Sequence, residues 1–152
     1  MTRALILDAT PLGLVTRKPG QSPEADACFR WMLDILAGGW TVYVPEIADY
    51  EVRRELVRLN RTGSIAHLDS VIATLTYLPI TTDTMRLAAD LWAQARNGGW
   101  ATADPKALDG DVILAAQALM LQTAPTSLVV ATENVAHLSR YVAAQEWRHI
   151  AP

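Results

Sequence analysis

The sequence is poor in the residues that build disulfides and soft-metal sites. Its 152 residues include one cysteine, Cys28, and three histidines. A single cysteine excludes an internal disulfide and favours a reducing compartment. The histidines (His67, His137 and His149) stand at no spacing typical of zinc ligands, so a zinc site is not expected.

Long hydrophobic runs are also missing. No run approaches the roughly 18 apolar residues that suggest a membrane span, and Ala4–Leu7 is too short for the core of a signal peptide. We therefore expect a cytoplasmic protein with no membrane partner. The formal net charge of −3 gives no overall attraction to nucleic acid, although an acidic active site would itself lower that charge. Apolar residues make up 51% of the chain, enough to build the core of one domain spanning 1–152.

Short apolar runs alternate with helical patterns along the chain. Ala4–Leu7, Trp40–Val44 and Leu128–Ala131 have the continuous hydrophobicity of parallel strands that are covered on both faces. Leu75–Leu78 and Trp147–Ile150 are predicted as two further short strands. In the segments between these strands, the capping residues and the helical spacing of apolar residues predict helices. The expected fold is therefore α/β, a three-layer α/β/α sandwich around a central, mainly parallel sheet of four to five strands.

One predicted helix has almost no polar face. Only Gln117 interrupts the apolar run from Val112 to Leu121, and such a helix belongs inside a protein. Asp109 is predicted as its N-cap and Asp111 as a residue of its first turn. The helix dipole contributes at most about 1 kcal/mol there, less than the cost of burying an unpaired carboxylate. A positive partner for Asp111 is therefore expected.

Acidic residues follow several of the predicted strands. Asp8 follows the first strand, Glu51 lies two helical turns beyond the second, and Glu133 follows the strand that ends at Ala131. Ligands bind open parallel sheets beyond the carboxyl ends of the strands, where the helices begin. We therefore expect acids from separate segments to meet at one edge of the sheet. The candidates are Asp8, Glu51, Asp109, Asp111 and Glu133.

Mutual repulsion makes such a cluster tolerable only with a cation. Oxygen donors favour Mg²⁺ or Mn²⁺ over zinc. A hard metal ion lowers the pKa of a bound water and stabilises the charge that develops on a phosphodiester. The residues therefore point to metal-assisted phosphodiester hydrolysis.

Four segments, in this order, resemble the motifs of PIN-domain ribonucleases. The closest likeness is to the small single-domain toxins of VapBC-type toxin–antitoxin pairs. No single motif is specific, but the four in order span nearly the whole chain. The segments are Leu7–Thr10, Pro45–Leu56, Asp109–Ala116 and Ala131–Val135.

This resemblance implies a PIN-like fold and an endoribonuclease that uses Mg²⁺ or Mn²⁺ to cleave RNA. It also implies a homodimer and an antitoxin protein as partner. The acids of the family fall on Asp8, Glu51 and Asp111, with Asp109 at a neighbouring position that is commonly acidic. The fourth position, often Asp or Asn two residues after a threonine, falls on Asn134. An amide there leaves open whether one or two metal ions bind.

Three further residues take supporting positions in this comparison. Thr10 falls at a supporting hydroxyl or amide position, and from the residues alone it is also predicted to cap the first helix. Thr132 is the threonine of the fourth motif. Glu133 is an alternative to Asn134 as the fourth ligand, and Glu46 is an alternative to Glu51.

Other interpretations remain open from the sequence. The arginines between Arg53 and Arg61 either hold RNA phosphates or form the solvated face of a helix. Four apolar residues are either core or a docking surface for a partner helix: Trp31, Met32, Ile35 and Leu36. A PIN-like RNA-binding or protein-interaction module without catalysis is the main alternative function. A receiver domain or aspartyl-phosphate phosphatase is disfavoured because no lysine follows Lys106.

Overall fold

The computed structural model describes residues 3–99, 105–122 and 127–152. In these segments five strands form one sheet, in the order β3-β2-β1-β4-β5, and every neighbouring pair is parallel. The predicted α/β class and parallel sheet are confirmed. The strands are β1 (Arg3–Leu7), β2 (Thr41–Pro45), β3 (Thr76–Leu78), β4 (Ser127–Ala131) and β5 (Ala144–Gln145).

Helices connect the strands and cover both faces of the sheet. None of the described helices is both long enough and apolar enough to cross a membrane. The helices are α1 (Ala9–Val15), α2 (Pro23–Ala37), α3 (Glu46–Arg58), α4 (Thr62–Thr74), α5 (Thr82–Asn97), α6 (Pro105–Leu121) and α7 (Val135–Leu138), followed by a 3₁₀ turn at Trp147–His149.

Alternate residues of β1 point to opposite faces of the sheet and separate two cores. Leu5 and Leu7 pack with α1, α2 and α4, whereas Ala4 and Ile6 pack with α5, α6 and α7. This alternation confirms the three-layer sandwich. The Trp31 side chain is buried in the first core together with Met32 and Ile35, so this face of α2 is core.

The prediction of a final strand at Trp147–Ile150 is wrong. The last strand is the two-residue β5, and Trp147–His149 forms the 3₁₀ turn. The indole N–H of Trp31 donates to the Ile150 carbonyl at 2.8 Å, and the Trp31 and Trp147 rings lie 5.7 Å apart. These apolar residues are therefore buried against α2 and do not pair in the sheet.

Two predicted helix starts are also wrong. Asp8, not Thr10, is the N-cap of α1, and its carboxylate accepts the Ala9 N–H at 2.7 Å. Helix α6 begins at Pro105, a residue type favoured at the first helical position. Asp109 is therefore not an N-cap, and Asp111 lies beyond the first turn.

Gln117 connects α6 to the neighbouring elements. It is fully buried, and its Oε1 accepts the Ile47 N–H at 3.3 Å while its Nε2 donates to the Leu78 carbonyl at 2.7 Å. A buried amide must satisfy both ends to avoid a large desolvation cost. These bonds fix α6 against the start of α3, the helix that carries Glu51.

Candidate active site

The strand order reverses between β1 and β4, which lie side by side in the sheet. In sheets of this kind the crevice beyond the carboxyl ends of the two strands is where ligands bind. Asp8 directly follows β1, and its backbone N–H donates to the carbonyl of Ala131, the last residue of β4, at 3.0 Å. The first acid of the chain therefore stands at this reversal point. A receiver domain has a different strand order, 2-1-3-4-5, so the fold disfavours that interpretation.

A cleft of about 370 Å³ opens at this edge. It brings together three predicted acids that are far apart in the chain, Asp8, Glu51 and Asp111, and all three are partly buried. Exposed Thr10 lies at its rim. We call this feature the acidic cleft; its lining residues are Asp8, Ala9, Thr10, Glu51, Arg54, Gly110 and Asp111.

The side chains of Thr132 and Asn134 form hydrogen bonds to the carboxylates of Asp8 and Asp111. The Thr132 hydroxyl donates to Asp8 Oδ2 at 2.7 Å and accepts the Asn134 N–H at 2.9 Å. The side-chain amide of Asn134 donates to Asp111 Oδ2 at 2.9 Å. Because the Asn134 N–H can only donate, the hydroxyl proton of Thr132 is left to point at Asp8. The segment after β4 therefore positions both Asp8 and Asp111.

Glu51 approaches α6 at a glycine. A Cβ atom built on Gly110 would lie 3.3 Å from Glu51 Oε1, closer than an ordinary contact. The missing side chain thus lets the Glu51 carboxylate lie against the α6 backbone, one residue before Asp111.

The environment of the cleft disfavours the charged form of all three acids. Desolvation by burial raises the pKa of Asp8, of Glu51 and of Asp111. The charges of Asp8 and Asp111 raise the pKa of Glu51 further, and the charge of Asp8 does the same for Asp111. Hydrogen bonds from Thr132, Ala9 and Asn134 act in the opposite direction, but burial is the larger cause. The cleft therefore concentrates negative charge that the protein itself stabilises only in part.

Two basic residues lie beside these acids: Arg54, which the sequence indicated only as one of several possible phosphate-binding arginines, and His137, to which it assigned no role. Arg54 lines the cleft and lowers the pKa of Glu51, and His137 lowers the pKa of Asp111, each against the larger effect of burial. His137 follows Asn134 by three residues, about one turn of a helix. This spacing could have indicated from the sequence that His137 lies near the site. The effect of His137 on the pKa of Asp111 has the direction expected of a positive partner, but burial is the larger effect.

Three predicted or alternative acids lie away from the cleft. Asp109 is exposed and lines a groove between α5 and α6 beside Met85 and Trp92. Glu133 is exposed to solvent and is not among the residues that line the cleft. Glu46 accepts the Ile80 N–H at 2.7 Å and so holds the segment after β3. This geometry favours Glu51 over Glu46 as the acid contributed by α3.

The arginines of α3 divide into two kinds. Arg53 donates to Asp49 at 3.0 Å and to Asp69 at 2.7 Å, and Arg58 is paired with Glu55. Arg54 stacks over the Tyr50 ring at 5.0 Å and has no salt bridge within residues 3–99, 105–122 and 127–152. Arg53 and Arg58 are therefore engaged within the protein, and Arg54 retains its donors for a ligand.

The donor set of the cleft fits a hard divalent cation. All its candidate ligands are carboxylate or amide oxygens. In the part of the chain that the structure describes, no group of three or more His, Cys, Asp or Glu side chains is close enough together to hold a metal ion. Mg²⁺ commonly binds through one or two carboxylates and keeps several waters. A pair of carboxylates at the open cleft is compatible with that mode.

The fold and site define a class: a parallel α/β protein with clustered acids at its topological reversal point. No protein-family model matches the sequence, and no curated protein matches it by sequence. Solved structures with the same fold do match over nearly the whole chain. They are complexes named VapBC from three bacteria.

The three structures have TM-scores between 0.65 and 0.72. VapBC2 from Rickettsia felis, in complex with a DNA fragment from its promoter, has a TM-score of 0.72 and 14% identity. The match covers 95% of this chain and 98% of the matched chain. DNA-bound VapBC from Salmonella typhimurium has a TM-score of 0.67 and 18% identity, and the match covers 97% of this chain and 99% of the matched chain. VapBC-1 from nontypeable Haemophilus influenzae has a TM-score of 0.65 and 14% identity, covering 95% and 98%. At these identities the likeness establishes the fold alone. The fold that the sequence resemblance predicted is therefore confirmed.

Proposed function

We propose that this chain is a metal-dependent endoribonuclease of the PIN-domain type that hydrolyses RNA phosphodiester bonds. The observation that carries the proposal is the acidic cleft. Asp8, Glu51 and Asp111 come from three separate elements and line one opening at the reversal point of the sheet. Their pKa values are raised by burial and, for Glu51 and Asp111, by mutual repulsion, a combination that a divalent cation relieves.

Asp8, Glu51 and Asp111 would hold Mg²⁺ or Mn²⁺, with Asn134 as a candidate fourth ligand. When bound, the ion would lower the pKa of a water and stabilise the negative charge on the phosphodiester. Thr132 and Asn134 orient the carboxylates of Asp8 and Asp111 through the bonds described above. Each carboxylate oxygen accepts more than one bond, so these contacts leave lone pairs for a metal ion.

Arg54 would supply the positive charge for the substrate within the cleft. Its guanidinium stacks over Tyr50 beside Glu51, and it forms no salt bridge with any residue that the structure describes. Arginine binds phosphate through a fixed fork of N–H donors. We therefore assign Arg54 to binding a phosphate of the RNA at the acidic cleft.

We further propose that the chain acts in the cytoplasm as the toxin of a VapBC-like pair, as a homodimer neutralised by an antitoxin protein. The support is the fold shared with VapBC complexes over almost the full length of the matched chains. Co-expression with the product of a small adjacent reading frame tests the partner. A stable complex that suppresses RNA cleavage is the expected result.

The activity is tested with purified protein, RNA, and Mg²⁺, Mn²⁺ or EDTA. Cleavage with either metal, its loss in EDTA and its loss in the Asp8→Asn variant are expected. Asp34→Asn, an exposed acid on α2, is the matched control and should cleave normally. RNA binding without cleavage under every condition would contradict the enzyme and favour the alternative, an RNA-binding module without catalysis.

A further inference from the structure

A second opening adjoins the acidic cleft on the side of α1. It has a volume of about 650 Å³ and runs between α1, α3 and α4. Ala9 and Thr10 line both openings, so the two are adjacent. We call this second opening the basic groove, for its lining residues Arg17 and Arg61.

The charge of the basic groove is opposite to that of the cleft. Arg17 follows α1 and Arg61 precedes α4, and both are exposed. The Nζ atom of Lys18 lies near Gly63, at 3.5 Å from where a Cβ atom would stand. In the described segments, 3–99, 105–122 and 127–152, none of these three cations forms a salt bridge. Arg17 and Arg61 therefore line the groove and Lys18 lies beside it, and none of the three has an acidic salt-bridge partner among the residues that the structure describes.

One acid, Glu55, also lines the groove, but it is already neutralised. Arg58 pairs with Glu55 on the surface of α3. The pKa of Glu55 is lowered mainly by this hydrogen bond, which keeps the carboxylate ionised and paired. The groove therefore keeps the positive charge of Arg17, Lys18 and Arg61, in a chain whose net charge is −3.

The walls of the groove combine apolar and neutral polar side chains. Leu14, Val52 and Leu56 provide apolar surface, whereas Thr10 and Ser64 provide hydroxyl groups. A nucleotide strand offers the matching chemistry: phosphates for the cations, hydroxyls for hydrogen bonds, and base or ribose faces for apolar contact.

We propose that the basic groove binds the phosphate backbone of the single-stranded RNA segment next to the bond that is cleaved, with Arg17, Lys18 and Arg61 as its phosphate-binding residues. The inference rests on the proposed function, because it takes the RNA chain to pass from the acidic cleft into the groove. The cations would hold the polyanion beside a cleft whose own acids repel it. The groove would thereby set the affinity for a long substrate, while the acids carry out the chemistry.

Binding is measured by fluorescence anisotropy with a short fluorescein-labelled oligouridylate in EDTA, which prevents cleavage. The test variant is Arg17→Gln/Arg61→Gln, and the matched control is Arg86→Gln/Arg96→Gln on α5, on the other side of the sheet. We expect the test variant to bind at least tenfold more weakly and the control to bind within twofold of the wild type. The plot of log K against log salt should flatten by about 1.4, since each single-strand phosphate contact contributes roughly 0.7.

Conservative variants separate charge from folding. Arg17→Lys/Arg61→Lys keeps both charges and should retain most of the salt dependence, and a thermal melt of every variant checks its fold. If Arg17→Gln/Arg61→Gln is folded and binds oligouridylate with the affinity and salt dependence of the wild type, the proposal is overturned. It is equally overturned if this variant loses only the binding of a protein partner.

The failure of this proposal is distinguishable from failure of the nuclease. With Mg²⁺ or Mn²⁺ present, a small substrate such as bis(p-nitrophenyl) phosphate is too short to extend from the cleft into the groove. The variant should hydrolyse it at the rate of the wild type, while its KM for long RNA rises and its kcat changes little. A wild type that binds oligouridylate through Arg17 and Arg61 but hydrolyses neither substrate would support the groove and contradict the enzyme.

Discussion

Helix α6 borders two openings of similar size and opposite chemistry. On one side Gly110 and Asp111 line the acidic cleft of about 370 Å³. On the other, Asp109 lies in a groove of about 430 Å³ against α5, where Met85 and Trp92 supply an apolar wall. Volume therefore does not identify the functional site. Our assignment of the functional site rests instead on the convergence of partly buried, mutually repelling carboxylates.

The two aspartates of α6 differ because of helical geometry. Residues two apart are separated by about 200° around a helix, so Asp109 and Asp111 cannot face the same opening. Asp111 is held by Asn134 and interacts with the charge of Asp8, whereas Asp109 is exposed. Neighbouring acids in one motif thus acquire different environments, and their substitution should have different consequences.

The largest expected effect is on catalysis by the two α6 acids. Asp111→Asn should lower RNA cleavage by about 10²–10³-fold, the range for removing one preorganised electrostatic group from an active site. Asp109→Asn should leave the rate within about twofold, since it removes the same charge from the opposite face. The comparison is made by single-turnover cleavage in saturating Mg²⁺. Equal losses in the two variants would contradict the assignment of the two faces.

The next largest effect concerns the residue that orients Asp111. Asn134→Ala removes the donor to Asp111 Oδ2 and should weaken the apparent affinity for Mg²⁺ by roughly 10–100-fold, as loss of an orienting partner does in metal sites. Titration of cleavage with Mg²⁺ gives this affinity. Glu133→Gln, a change in the adjacent exposed residue, is the control and should leave the titration unchanged. A shift with Glu133→Gln and none with Asn134→Ala would instead make Glu133 the residue of the site.

A smaller effect is expected where α6 meets Glu51. In Gly110→Ala the new methyl would lie 3.3 Å from Glu51 Oε1, so the carboxylate must shift by a few tenths of an ångström. We expect cleavage to fall several-fold while the protein becomes no less stable, because alanine is favoured over glycine in a helix by about 0.5–1 kcal/mol. Cleavage rates and urea unfolding measure the two effects. If Gly110→Ala loses activity only because it unfolds, the close approach of Glu51 to position 110 has no role in cleavage.

The smallest expected effect is on the stability of the metal-free protein. Burial raises the pKa of Asp111, so its contribution to stability is present below its unfolded pKa and is lost as the pH rises through its folded pKa. In EDTA, Asp111→Asn should therefore exceed the wild type in Tm by a few degrees at neutral pH, since about 1 kcal/mol shifts the Tm of a domain of this size by roughly 2–4 °C. The difference should shrink towards pH 4. Asp109→Asn should show no comparable gain, and a wild type more stable than Asp111→Asn at neutral pH would contradict the burial argument.

The elements with strong local patterns were predictable from the sequence. The apolar runs of β1 and β4 gave their positions and placed Asp8 at a strand end, because a strand buried on both faces must be hydrophobic throughout. The two-residue β5 has no such pattern. Trp147 and Ile150 are apolar because they pack against α2, and this burial was misread as a strand.

The candidate site could be predicted only as a set of residues. Chain order and the rule for parallel sheets predicted that Asp8, Glu51 and Asp111 would meet, but they also included Asp109 and Glu133, which do not line the cleft. The orienting contacts join residues far apart in the chain, such as Asn134 with Asp111, and no local pattern encodes them. Asp109 was grouped with Asp111 because the helix was expected to begin at Asp109. With α6 starting at Pro105, both acids lie within the helix on different faces.

The central claim, that the acidic cleft binds a divalent ion through Asp111 and its neighbours, is tested most directly by Mn²⁺ binding without RNA. Isothermal titration calorimetry at neutral pH on the wild type, Asp111→Asn and Asp109→Asn measures it. We predict saturable binding to the wild type and to Asp109→Asn, and at least a tenfold loss of affinity in folded Asp111→Asn. Absence of binding to the wild type, or equal affinity in all three proteins, would contradict the account.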